Sequence, residues 1–320
     1  MTKCDPYTTF KNIENISDDF LLNNLETNLK TFFDWAFLSI GAWFDATIDE
    51  YNIYSSTVAN SQLLLTSDLE YEDGQVWQGI RKDWVWESGI VFNETSPITA
   101  TGLFIDDVFY NYPSGDFSID YPNGRVIFDD AISPTAKVEM NYSYRNVQTY
   151  RSSDNPWFST LQYGSYNNSD VDIQRTEDGN WSISGNHRVQ MPAIVIESVA
   201  RSRSRPYELG NDNLVLDQDI AFYVLAETKN ERNKLLDIIR LQQDLTIMLY
   251  DTNRLSKNDD FPLSWNGDLK NNPLMYPGMV NTYPWHKCFL KNIQLFEIEN
   301  PAPDLYMGMA KSTAEIIGGF

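Results

Sequence analysis

Histidine and cysteine are nearly missing from this chain of 320 residues, with two of each. Cys4 and Cys288 stand almost a chain length apart and show neither CxxC nor metal-ligand spacing, so a disulfide framework is not expected. His187 in GNHRV and His286 in PWHKC are too few for a multi-histidine metal site within one subunit. A Cys–His nucleophile would need Cys288 beside His286. On a strand those two point to one face with little room for a third group. The chain has no GxSxG elbow, HExxH, Walker loop or GxGxxG, and Gly318-Gly319 is too short for a phosphate loop. No catalytic, cofactor-binding or metal-binding residue is therefore assigned.

Positive charge is also scarce. Lys and Arg number 24 against 45 Asp and Glu, a formal charge of -21, so the concentrated basic surface that grips phosphates is lacking. Only Arg201, Arg203 and Arg205 cluster, with Glu208 and Asp212 close behind. Long apolar runs are missing too. Phe32 to Phe44 is broken by Asp34, Ser39 and Gly41, and falls short of the ~20 residues of a spanning helix. The start, MTKCDPYTTF, lacks the basic n-region and apolar run of a signal peptide. The expectation is a soluble chain made in a cytoplasm, with no membrane partner.

What is present is core-forming material. Hydrophobic residues make up 42% and aromatics 14%, which excludes a low-hydrophobicity disordered chain, and the length suits two or three domains. Residues 17–38 read as a helix, with Ser17 as N-cap, Asp18 and Asp19 at its positive start and Ile16 stapling onto Leu21. Leu21, Leu22, Leu25, Leu29, Phe32 and Phe33 recur at helical spacing. FFDWAFLSIGAWF then places aromatics on nearly every side, more than one helix face needs. The helix either packs on its own domain or docks on a neighbouring subunit, and residues 1–56 are read as an N-terminal helical arm. Leu25, Leu29, Phe32, Phe33, Trp35, Phe37, Trp43 and Phe44 are its candidate subunit-interface residues.

Residues 57–150 alternate in short strands between turn signals and read as an antiparallel β-sandwich or small barrel. Tyr112-Pro113-Ser114-Gly115 and Tyr121-Pro122-Asn123-Gly124 carry turn chemistry, and Asn123-Gly124 suits a tight hairpin. Val126 and Phe128 share a face. Val138, Met140, Tyr142 and Tyr144 form a period-2 row opposite Lys137, Glu139, Asn141 and Ser143. Residues 151–190, rich in Asn, Ser, Asp and Gly, read as a polar linker or excursion with one hairpin around Glu177-Asp178-Gly179-Asn180.

Residues 191–300 read as an α+β domain. PAIVIESVA is a strand, RSRSRPYELGNDN a loop, and LVLDQDIAFYVLAET one long strand or two. The capping box Thr228-x-x-Glu231 opens a helix whose Leu235, Leu236, Ile238, Ile239 and Leu241 face a sheet. DLTIMLYD and WHKCFLKNIQLFEI are further strands, and residues 301–320 an extended tail. The fold class expected is thus α+β, with the helix packed on a mixed or antiparallel sheet.

Carboxylates are plentiful at Asp106-Asp107, Asp116, Asp120, Asp129-Asp130, Asp170, Asp172 and Asp259-Asp260. A glycosidase needs two flanking a sugar cleft, but turn positions favour Asp for local hydrogen bonding. Neither Asp170-x-Asp172 nor Asn211-Asp212-Asn213 completes a calcium loop. Trp77, Trp84, Trp86, Tyr110, Tyr112, Tyr121, Tyr142 and Tyr144 fit core packing first, a protein–protein interface second and a sugar-stacking platform last.

The stretch GLFIDD…IDYPNGRVIF…VEMNYSYR resembles segments of virion structural proteins of tailed bacteriophages. The opening FLLNNLETNLKTFFDWAFLSIGAWFDAT looks similar to N-termini from the same setting. IAFYVLAETKNERNKLLDIIRLQQDLTIMLYD has the strand–helix–strand order of neck and tail-completion proteins. These pieces cover about a third of the chain and carry no motif from which a binding residue transfers. The resemblance implies a non-enzymatic subunit of an oligomeric ring or collar at the neck, located in the virion and assembled in the host cytoplasm. Its implied partners are copies of itself and portal, adaptor, tail terminator or tail tube proteins, with DNA at most passing through. A carbohydrate- or receptor-binding β module of a fibre or baseplate is the alternative, and a polysaccharide hydrolase follows it.

Overall fold

The computed structural model describes residues 15–48, 60–112, 116–166, 172–176, 179–183, 187–207 and 214–318. Cys4, Pro113-Ser114-Gly115, Asp170, Glu177-Asp178, Glu208, Asn211-Asp212-Asn213 and Gly319-Phe320 lie outside them.

Helix α1 spans Leu21–Ser39. It begins four residues beyond Ser17, its N-cap position is Phe20 with no side-chain cap, and Ile16 is exposed rather than stapled. A distant residue organises the entry instead. The Asp19 amide donates to Asn253 Oδ1 at 2.7 Å, and Asn253 Nδ2 donates back to the Asp19 carbonyl at 2.7 Å. No local pattern carries that signal.

Strand β1 (Trp43–Ala46) follows and pairs antiparallel with β9 (Tyr142–Arg145). Between them lie β2 (Gln62–Leu65), β3 (Val76–Gln78), β4 (Gly102–Ile105), β5 (Val108–Asn111), β6 (Phe117–Asp120), β7 (Arg125–Phe128) and β8 (Val138–Glu139). These form one antiparallel sheet in the order β5-β4-β8-β2-β3-β7-β6. Its core contains Leu63, Trp77, Trp84, Leu103, Val126, Phe128, Val138, Met140 and Tyr142, but the row expected as one strand is split, with Val138 in β8 and Tyr142 and Tyr144 in β9 of the two-stranded sheet. Its opposite face is not fully solvated, because Glu139 and Ser143 are buried. Trp84 and Tyr142 stack with centroids 4.2 Å apart. The β6–β7 hairpin pairs Asp120 with Arg125, so its loop is the whole of Tyr121–Gly124. Gly124 has φ +62°, and a Cβ there would meet the Arg81 carbonyl at 2.4 Å, which only glycine tolerates.

Residues 151–190 are not a linker. Strand β10 (Gln148–Arg151) leads into α2 (Pro156–Tyr166), then β11 (Ile173–Arg175), β12 (Trp181–Ile183) and β13 (His187–Val189), a three-stranded antiparallel sheet. The hairpin forms as expected, with Thr176 and Asn180 closing the β11–β12 turn. The polar composition hides a few apolar anchors, Trp157, Phe158, Leu161, Trp181, Ile183 and Val189, all of which are buried.

They cover one face of a six-stranded sheet made of β10, β14 (Ala193–Pro206), β15 (Leu214–Ala226), β16 (Thr246–Tyr250), β17 (Pro284–Glu297) and β18 (Tyr306–Gly318), in the order β10-β14-β15-β18-β17-β16. Only β10–β14 is parallel. Alternation divides these strands cleanly: Ala193, Val195 and Leu225 face α2, whereas Ile194, Ile196, Ile220, Phe222 and Val224 face the opposite core. In that core sit α1 and helix α3 (Lys229–Arg240). The Thr228 side chain accepts from the Glu231 amide at 3.2 Å, as the capping box requires. Leu235, Leu236 and Ile239 are buried and Ile238 is half-buried, but Leu241, beyond the helix end, is exposed. Short helices α4 (Thr252–Lys257) and α5 (Gly278–Thr282) flank β16 and β17.

Three further expectations change. Helix α1 packs on β10, β14 and β16 of its own chain, so it is a layer of this unit and not an arm. The stretch RSRSRP continues β14 rather than opening a loop. Residues 306–318 are no tail: β18 is a central strand, paired with β15 and with β17.

Cys288 lies in the core under α1 and α3, where burial pushes its thiol up to about 12. In a Cys4→Ser background the native protein should therefore not react with a thiol reagent at mildly alkaline pH, and denaturant should expose the thiol. Fast native labelling would contradict the placement of β17.

Candidate assembly surface

The residues proposed for a subunit interface separate into three groups. Leu25, Leu29, Phe33 and Phe37 are buried in the chain's own core and present no surface. Phe32, Trp35 and Trp43 are half-buried, Phe32 and Trp35 packing on Tyr276 with ring centroids 6.2 and 5.3 Å away. Phe44 alone of the eight is exposed, beside Tyr144. The aromatic surplus of α1 thus closes gaps within this chain.

Exposed apolar residues are scattered over the described surface, Leu69 and Trp265 among them, and three stand in a row on β5. All of Val108–Asn111 is exposed, with Val108 at 57%, Phe109 at 48% and Tyr110 at 45%. The strand terminates the seven-stranded sheet, and among the described residues none pairs with its outer side. Asp106 and Asp107, at φ +48° and +63°, form the two-residue turn to β4, a geometry that Asp tolerates better than most residues. Asp106 is fixed there, since its carboxylate accepts from the Lys137 amide at 2.9 Å and its own amide donates to the Lys137 carbonyl at 2.9 Å. Phe109 lies over Gly102, where a Cβ would meet the ring at 2.6 Å, so a glycine lets the ring fold back on the hairpin. An apolar edge strand without Lys or Pro invites pairing with another chain. From sequence this strand looks like a core strand, because sheet order is a long-range property.

The second open region is the far end of the six-stranded sheet. Beyond its pairing with β10, β14 runs on as an edge among the described residues, and Arg201–Pro206 are all exposed. Arg201 and Arg203 line a polar groove of about 310 Å³ with Asp217, Asp219 and Lys311. Lys311 Nζ lies 3.3 Å and Arg201 Nε 3.8 Å from Asp219 Oδ2, and Arg205 lies 2.9 Å from Glu315. Exposed pairs like these contribute at most about 1 kcal/mol each, so the strip is free to change partners.

The remaining acidic candidates have local roles. Asp120 is buried and accepts from Arg125 Nε at 2.7 Å and Asn123 Nδ2 at 2.8 Å. Asp259 bonds Lys270 at 2.6 Å, Asp260 takes the Tyr283 hydroxyl, and Asp172 takes Gln174 at 2.7 Å. Asp116, Asp129 and Asp130 are exposed around one turn. In a cleft between the two large sheets, burial and the neighbouring Glu227 raise the Glu231 carboxyl above its usual range. Glu227 itself is held on both oxygens, by Arg175 and Trp181 at 2.9 Å each, which reads as a latch for β11–β13. Among the described residues no group of three or more His, Cys, Asp and Glu could hold a metal ion, and no helix is long and apolar enough to cross a membrane.

The chain is therefore an α+β protein with few helices and curled antiparallel and mixed sheets. No family model, no curated protein and no solved structure matches it.

Proposed function

We propose that the chain is a non-enzymatic structural subunit of a tailed-phage virion, joined head to tail with copies of itself in a ring or collar at the head–tail junction. The observation that carries the assembly reading is the exposed apolar run Val108–Tyr110 on β5, an edge that no other strand covers among the described residues, which a lone soluble chain has reason to blunt and an assembling one to cover. Its occupant in this reading is the β14 edge of the next copy. The two are complementary: the β5 hairpin is tipped by Asp106 and Asp107, and β14 carries the cluster Arg201, Arg203 and Arg205 on a chain of net charge -21. Two different patches meeting make a heterologous contact, which closes into a ring when the rotation allows. The phage setting rests on the resemblance of residues 20–47, 102–145 and 220–251. In this setting residues 57–150 form the sandwich- or barrel-like part of the subunit, portal, adaptor, tail terminator or tail tube proteins are its neighbours, and an acidic ring lets DNA pass without specific binding.

Mass photometry across concentration, alone and with candidate neck proteins, tests this. Wild type should give a ring-sized species. Tyr110→Lys and Arg203→Glu should each weaken it about tenfold or more while the melting temperature stays unchanged, since both sites are exposed. A single-chain mass under every condition, or variants that assemble like wild type, would overturn the reading.

A further inference from the structure

Between α1, β10 and the loop before α5 lies a cavity of about 360 Å³, within the range of small-ligand sites. Asp34 and Thr149, 6% and 5% exposed, line it. Lys30 Nζ lies 2.6 Å from Asp34 Oδ2, but Asp34 Oδ1 has no hydrogen-bond partner, nor has Thr149 Oγ1. Each buried polar atom left unpaired costs about 1–3 kcal/mol. Arg151 Nε, also on this lining, is a third, with ion-pair neighbours but no hydrogen bond, and three such atoms from α1 and β10 mark a place built for something that completes them.

The wall states what kind of molecule that is. Asp34 Oδ1 only accepts, so the ligand donates; Thr149 takes either role. The charges around the cavity already have opposite partners: Lys30 with Asp34, Arg151 within 3.8 Å of Glu26 and 3.5 Å of Asp154, and Glu87 with Arg145. No unmatched charge is left for an ionic ligand, and Lys30 disfavours a cation at Asp34. Trp35, Trp86, Phe261 and Tyr276 supply flat apolar surfaces. Hydroxyl donors on a ring with apolar C–H faces satisfy all of these conditions. We propose that this cavity is a binding site for a neutral saccharide, with Asp34 Oδ1 and Thr149 Oγ1 bonding ring hydroxyls and an aromatic face stacking on the ring. The site is independent of the assembly edges.

The test measures thermal unfolding of the full chain with D-glucose, D-galactose, N-acetylglucosamine and maltose, using sorbitol as the control for general co-solvent stabilisation. Thr149→Val preserves shape and removes the hydroxyl. At saturation one sugar should raise the wild-type melting temperature by roughly 2 °C or more beyond sorbitol. Thr149→Val should erase that rise, with an unliganded melting temperature equal to or above wild type. Three results would overturn the proposal: no sugar exceeding sorbitol, a rise that persists in Thr149→Val, or an unliganded Thr149→Val melting several degrees lower, which would make the hydroxyl a structural bond.

Discussion

Ending the chain after Pro303 should leave no folded protein. The thirteen residues of β18 pair along their whole length with β15, Tyr306 opposite Ala226 and Gly318 opposite Leu214. Their other edge pairs with β17 from Lys287 to Glu297. Deletion therefore separates β15 from β17 and exposes two buried hydrogen-bonding edges. It also strips Ala310, Ala314 and Ile316 from the core beneath α1 and α3, and Met307 from the core beneath α2. The loss far exceeds the roughly 5–15 kcal/mol by which domains are stable. Far-ultraviolet circular dichroism and solubility should report an unfolded or aggregated chain. A soluble, cooperatively melting truncation would contradict the topology.

The second large effect belongs to Glu26, buried on α1. Its carboxylate accepts from the Ser198 amide at 2.6 Å and the Ser153 hydroxyl at 3.4 Å, with Arg151 Nε 3.8 Å away. It ties α1 to the start of the β14 irregularity and to the turn after β10. Glu26→Ala leaves the Ser198 amide without its partner and Arg151 with Asp154 alone, and should cost about 3 kcal/mol. Glu26→Gln keeps an acceptor for Ser198 and removes the charge. Burial raises the Glu26 carboxyl above its ordinary 4.5, against the lowering by Ser198 and Arg151. The folded state therefore binds this proton more tightly than the unfolded one. The wild type carries a penalty at neutral pH and is relieved of it as pH falls through the folded value toward the unfolded one. Urea unfolding should show Glu26→Gln at least as stable as wild type near neutrality, with its advantage shrinking in mild acid. Equal destabilisation by Ala and Gln would contradict this role.

What the sequence made legible is mostly local. The Thr228 capping box, the strand at Thr246–Tyr250 and the hairpins around Tyr121–Gly124 and Thr176–Asn180 each rest on neighbouring residues, and each is present. The misreadings share a different cause. Residues 301–320 read as a tail because small residues, Gly308, Ala310, Ser312 and Ala314, fill the period-2 positions where bulky ones announce a strand, yet all four are buried. The helix entry depends on Asn253, more than two hundred residues away. RSRSRP reads as loop because both faces are polar, and it is a strand because β15 lies beside it. The assembly edge was hidden for the same reason: Val108, Phe109 and Tyr110 have core composition, and only the order of strands puts them outside. The buried pair Asp34 and Thr149 comes together through α1 packing on β10, which no spacing reports.

The central claim, that the β5 edge of one copy meets the β14 edge of the next, is tested most directly by directed cross-linking. In a Cys4→Ser background, Tyr110→Cys and Ser204→Cys are made singly and together and treated with a short bismaleimide. The head-to-tail contact predicts a ladder of covalent oligomers from the double variant, a dimer when the two single variants are mixed, and none from either alone. Dimers from Tyr110→Cys by itself, or no cross-linked product from the double variant at concentrations where the protein assembles, would contradict it.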